Sequence, residues 1–392
     1  MRDRTLWGDL TDRYSADAPR KLLALDGGGI RGVMTLGILK KIEETIGQPL
    51  WQYFDYIAGT STGAIIAAGL ARGMSVDELT AFYRETGPDM FAKTRFLKRL
   101  NSLYRNGPLE QKLKVVFGET TDLKPGSLKT LLLVVTRNVT TDSPWPISSN
   151  PDAKYNALRR SDCNLCIPLW KLVRASTAAP IYFPPEVVEL APGDETKTFV
   201  FVDGGLTPYN NPAWVLFRFA TDAAYRLNWP TGEQKMQLIS VGTGAAATLG
   251  ATSEDPESNM LSTGVGIPSA LMYGALIDQD INCRSIGRCT YGDVIDRELG
   301  DMVPRDTAGT AIPLDQDTGR KFLYTRYNID LSQEGLGKLG FSPDEADAAN
   351  VRKMDLATPE HIDLLIRVGH AAGRQVKRAH FGTFVNTIGA GA

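Results

Sequence analysis

The sequence predicts a three-layer α/β/α fold around a mainly parallel sheet, with a mostly helical C-terminal extension. Three observations carry this expectation. Apolar runs that read as buried strands recur between residues 22 and 244, segments of helical period alternate with them, and glycine clusters close several of the strands. The chain has 392 residues, 43% hydrophobic and 22% charged, enough to bury a large core and ordinary for a globular protein.

The first strand is "LLALDGGGIRG", residues 22–32, which ends in Asp26 and three glycines. Gly27, Gly29 and Gly32 also satisfy the dinucleotide pattern G-x-G-x-x-G, so the bare backbone could hold a phosphate or a transient oxyanion. Next, "VMTLGILKKIEETIG" puts Met34, Ile38, Ile42 and Ile46 on one helical face, and Gly47 supplies the stop. "YFDYIAG" reads as a second strand that turns at once into the small-residue helix "TSTGAIIAAGLARG". Ser75 with Glu78 forms a capping box for the next helix. Further strands are expected at 130–139, 198–205 and 237–244, then helices near 267–288, 343–353 and 358–379. This divides the chain into a lead segment (1–20), an α/β domain (21–250) and an extension packed on it (251–392).

Lys plus Arg total 43 against 45 for Asp plus Glu, so no whole-protein field recruits a nucleic-acid polymer. Cys163-x-x-Cys166 resembles half a zinc site with no second half, and with Cys283 and Cys289 it reads as reduced cytosolic thiols. No metal site is expected. The opening "MRDRTLWGDLTDRY" does not resemble a secretory signal, and "AIIAAGL" from Ala64 is too short to span a bilayer. The expectation is a soluble, cytoplasmic protein.

Gly59-Thr60-Ser61-Thr62-Gly63 is a G-x-S-x-G set between a strand and a helix. Such a turn exposes the central residue, and the helix after it aims its first amides at charge developing there. Ser61 is therefore a candidate nucleophile, set against a glycine-rich turn with a serine N-cap. A serine needs a base. His361, His370 and His380 all fall in the last 32 residues and point to different sides of one helix, which leaves a triad with a late histidine open. Asp203, closing the strand "FVFVDGG", is the other candidate; Asp26 is its mimic, and spacing alone does not choose between them.

"DGGGIRG" (26–32), "GTSTG" (59–63) and "DGG" (203–205) together resemble the patatin-like phospholipase family, in its order and spacing. "RASTAAPIYFPP" (174–185) is similar to a segment that members carry between the serine and the aspartate. The resemblance covers about residues 20–245. It implies a serine lipid acyl hydrolase acting on glycerophospholipids, with Ser61 as nucleophile and Asp203 as general base. It implies an oxyanion hole from the amides of Gly27, Gly28 and Gly29, with Arg31 orienting the lipid phosphate or bracing the loop. Neither metal nor organic cofactor is expected, and the fit of Asp203 over Asp26 comes from the family alone. For some bacterial members it further implies activation by a cyclic nucleotide in antiviral defence, although no motif here carries such a pocket.

The alternative is a non-catalytic nucleotide-binding module built on the glycine loop. Against it, the second strand closes on "AGTSTG", with glycine and a hydroxyl where a ribose-binding acid belongs. Membrane access is expected to involve "KTRFLKRLNSLYR" (93–105), whose five basic residues and apolar stripe suit a transient interfacial helix. A surface helix packed on the core fits the same pattern.

Overall fold

A computed structural model of the chain describes residues 2–91, 108–180, 183–245 and 260–385. The apolar runs form strands β1 (Arg20–Leu25), β2 (Tyr56–Thr60), β3 (Leu131–Asn138) and β7 (Met236–Val241). All four are buried on both faces, as parallel strands between helical layers must be. Alternate residues serve two cores. Leu23, Leu25, Ile57 and Ile239 face one, packed by helices α1 (Gly32–Ile46), α2 (Thr62–Arg72) and α3 (Val76–Phe91). Leu22, Ala24, Tyr56 and Leu238 face the other, against α5 (Ala213–Thr221) and the aromatic rings of Trp7, Tyr14 and Trp229; α4 (Leu169–Ser176) packs in the first core.

Among the described residues the sheet has nine strands, hydrogen-bonded along the path β5-β6-β3-β2-β1-β7-β9-β8 with β4 also on β3. Here β4 is Ser143–Ser148, β5 Glu186–Glu189, β6 Thr198–Asp203, β8 Arg288–Tyr291 and β9 Leu323–Tyr327. Pairing is parallel from β3 through β2, β1, β7 and β9 to β8, and antiparallel for β4, β5 and β6. Strand β3 is where two directions meet. β4 lies along one edge of β3 from Leu133 to Asn138, pairing Val135 with Pro146 and Thr136 with Trp145. The other edge is shared: Thr60 at the end of β2 pairs with Val135, and Asp203 at the end of β6 pairs with Thr136. Two strands of opposite direction therefore abut by their carboxyl ends on one edge of β3.

The last third is more than helices. β8 and β9 extend the central sheet by parallel pairing beyond β7. Helix α6 (Met260–Ile286) precedes them, and α7 (Pro359–Gly373) packs along α1, where Gly37 and Gly369 allow backbone-close approach. The helix expected near 343–353 shortens to Ala348–Val351. The basic segment 93–105 lies outside the described residues. Among the described residues no helix is long and apolar enough to cross a membrane.

Candidate active site

The meeting of β2 and β6 brings together two residues far apart in sequence. Ser61 is the first residue after β2 and Asp203 the last of β6, and the Ser61 hydroxyl donates to Asp203 Oδ2 at 2.7 Å. Ser61 has φ 53° and ψ −123°, a backbone conformation that costs a β-carbon-bearing residue on the order of 1–3 kcal/mol. It stands at the N-cap of α2 without using its side chain as a cap, so the hydroxyl is left for Asp203. Its amide donates to Ser176 Oγ at 2.9 Å, and that hydroxyl donates to the Val135 carbonyl at 2.7 Å. The turn is thereby pinned to α4 and β3. Gly63 permits the turn: a β-carbon there would overlap the carbonyl oxygens of Leu25 and Asp26.

Asp203 is buried, and burial pushes its carboxyl up to about 6. The Gly205 amide, donating to Oδ1 at 2.7 Å, the Ser61 hydroxyl and the Arg174 charge all oppose that rise and only partly offset it. A carboxylate with raised proton affinity, hydrogen-bonded to a serine at a helix N-terminus, is competent to accept the serine proton near neutral pH. The sequence left Asp26 and Asp203 tied. The structure separates them: Asp26 is buried under Arg326, whose Nη atoms reach its two oxygens at 2.9 and 2.5 Å, and among the described residues no hydrogen bond joins it to Ser61.

The glycine loop lies beside the serine, with a β-carbon built on Gly27 only 3.2 Å from Ser61 Cβ. The Gly27 amide donates to the Asn210 carbonyl at 3.1 Å, so it is not free for an anion. Unlike it, the amides of Gly28 and Gly29, the other two of the expected trio, have no acceptor among the described residues. Gly29 has φ 61°, and a β-carbon there would run into the Met354 carbonyl. Arg31 is half-buried at the loop's end, and burial lowers its guanidinium to about 10 despite the Asp26 charge.

No histidine hydrogen-bonds to Ser61 or Asp203 among the described residues. His380 is buried with Nδ1 2.8 Å from the Tyr327 hydroxyl, and burial takes its pKa down to about 4. His361 is buried, its pKa lowered by burial, while His370 is exposed on α7. Sequence reasoning did not single out Ser176, Asn210 or Arg326. Ser176 lies inside the segment 174–185, and Asn210 comes soon enough after the "DGG" turn to have been suspected. Arg326, mid-strand in "LYTRY", gave no signal without its partner.

A family model described as patatin-like phospholipase matches residues 23–217. A cUMP-AMP-activated phospholipase of Escherichia coli is 34% identical over 237 residues, covering 60% of this chain and 68% of the relative. A cGAMP-activated phospholipase of Escherichia coli strain TW11681 is 30% identical over 251 residues, 60% of this chain and 65% of the relative. An intracellular phospholipase A2 of Caenorhabditis elegans is 30% identical over 238 residues, 59% of this chain but 20% of that longer protein.

Proposed function

Because the chain belongs to the patatin-like phospholipase family, we propose that it hydrolyses acyl esters of glycerophospholipids through a Ser61–Asp203 dyad. Asp203 Oδ2 takes the Ser61 proton as Oγ bonds to the ester carbonyl carbon. The carbonyl oxygen becomes an oxyanion held by the Gly28 and Gly29 amides and by the N-terminus of α2. Such donors are worth roughly 3–4 kcal/mol each where measured. The ester C–O bond then breaks and Asp203 returns the proton to the departing lysolipid oxygen. Water gives a proton to Asp203 and attacks the acyl-enzyme; the fatty acid leaves and Ser61 regains its hydrogen.

The observation that carries this reading is the 2.7 Å hydrogen bond from Ser61 to a carboxyl whose pKa burial has raised to about 6. The nucleotide-module alternative is disfavoured by β2, which closes on Thr60 and Ser61 with no carboxylate for a ribose. Mass spectrometry of mixed phospholipids incubated with wild-type and Ser61→Ala protein tests it. Free fatty acid and lysolipid should appear only with the wild type.

The nucleotide-activated phospholipases among the bacterial relatives favour a second element, activation by a cyclic nucleotide as part of antiviral membrane-lipid degradation. The same assay with cUMP-AMP or cGAMP added tests that element. A rate that does not respond to either would remove it and leave the hydrolase reading intact.

A further inference from the structure

A cavity of about 120 Å³ opens beside the glycine loop, lined on one side by Gly27, Arg31 and Asn210. Gly27, on its lining, lies against Ser61, which is itself not among the lining residues. The far side of the cavity comes from the last third of the chain: Arg352 with Met354, and Met272 with Leu276 of α6.

Two features set this cavity apart from a packing defect. Arg31 Nε and Asn210 Oδ1 are buried with no hydrogen-bond partner, although Asn210 is only 4% exposed. Buried polar atoms are nearly always satisfied in a folded protein, so an unfilled donor and acceptor on residues lining one small cavity call for a water or a ligand there. The second feature is charge. Among the described residues no Asp or Glu lines the cavity, yet two guanidinium groups do. The carboxylate that acts on Arg31 is Asp26, and Arg326 already engages it. Arg352 is tethered by its Nε, which donates to the Ala348 carbonyl at 3.0 Å, and its Nη atoms have no bond among the described residues.

We infer that this cavity is the phosphodiester subsite for the lipid substrate, with Arg352 as a phosphate-binding residue beside Arg31. Planar guanidinium groups match the several oxygens of a phosphate, and two together neutralise it where water is scarce. Asn210, whose Nδ2 donates to the Gly27 carbonyl at 3.5 Å, presents Oδ1 as an acceptor suited to a headgroup hydroxyl. Met272, Leu276 and Met354 give the opposite wall the apolar lining that glycerol and the first acyl methylenes need. The inference rests on the phospholipase reading and adds where the headgroup end of the substrate is held.

The test uses the full-length Ser61→Ala protein, which binds without turnover. Binding of monomeric dihexanoyl phosphatidylglycerol is read by phosphorus-31 line broadening, and binding of phosphate-free dihexanoylglycerol by saturation transfer. Adding Arg352→Gln should weaken the phospholipid by about tenfold or more and the neutral lipid by less than about twofold, whereas Arg352→Lys, which keeps the charge but loses the planar fork, should fall between wild type and Arg352→Gln. Equal losses for both lipids, or undiminished phospholipid binding by Arg352→Gln, would overturn the assignment. Inorganic phosphate binding as tightly as the phospholipid, with no competition between them, would reassign the cavity to a free anion and also overturn it. Fatty-acid release by the wild type is measured separately: its absence sinks the phospholipase reading, while its presence with no phospholipid binding sinks only the subsite.

Discussion

Gly37 of α1 and Gly369 of α7 face each other so closely that a β-carbon on Gly37 would overlap the Gly369 backbone, and one on Gly369 would overlap Met34. α1 begins where the glycine loop ends, so this crossing ties the loop's supporting helix to the last third of the chain. Gly37→Ala should therefore destabilise the protein by about 1–3 kcal/mol through overpacking. Gly274→Ala is the matched control: Gly274 is exposed in α6 with nothing near its missing side chain, and the change should stabilise by roughly 0.5–1 kcal/mol. Urea unfolding of the two variants measures both.

Ser61→Ala should abolish fatty-acid release by several orders of magnitude while the fold survives. Ser61→Gly should be equally inactive yet more stable than Ser61→Ala by about 1 kcal/mol, because only glycine adopts φ 53° freely. Equal melting temperatures for these two variants would show that the turn carries no such strain.

For Asp203 the folded pKa of about 6 lies above the ordinary 3.8. Turnover should rise with pH through about 6 as the base loses its proton. The stability sign is the reverse of the usual carboxylate case. The folded state binds the proton more tightly, so the contribution of Asp203 to stability is full below about pH 4 and is lost between about pH 4 and 6, on the order of 3 kcal/mol. Asp203→Asn should remove that fall and the activity with it. Melting temperature against pH for the two proteins checks the sign. Single replacements of His361, His370 or His380 should leave the pH–rate profile in place.

The Arg326–Asp26 pair is buried, with side-chain exposures of 2% and 0%. Arg326→Met leaves a buried carboxylate uncompensated and should cost about 3–5 kcal/mol. Asp26→Asn combined with Arg326→Met should recover much of that stability. A double-mutant cycle with no coupling would show that the pair contributes nothing beyond its parts.

The central strands were legible because each depends on local pattern, whereas the choice of Asp203 over Asp26 came from the family resemblance and not from spacing. β1, β2, β3, β6 and β7 are apolar runs ended by turns, and Gly47 and the Ser75–Glu78 box stop and start helices as their chemistry requires. β4 and β9 were not legible. β4, "SPWPIS", carries two prolines and survives only because it pairs with β3 along a single edge. β9, "LYTRY", has an arginine at a position buried among strands, which makes sense only once Asp26 is placed opposite. The partner of the Gly27 amide was hidden for the same reason: the Asn210 carbonyl lies 183 residues away in the chain. Long-range partners decide these positions, and no window of sequence contains them.

Asp26 and Arg326 are 300 residues apart. At a synthesis rate of about 5–20 residues per second, the carboxylate waits roughly 15–60 s on the ribosome before its guanidinium is made. Throughout that interval β1 lacks the partner that neutralises its terminal acid, and the glycine loop lacks its finished anchor. A nascent chain that already contains Ser61 and Asp203 is still without β9. The Asp26 end of β1 is thus completed only after the whole of residues 23–217, the part that matches the family, has been synthesised.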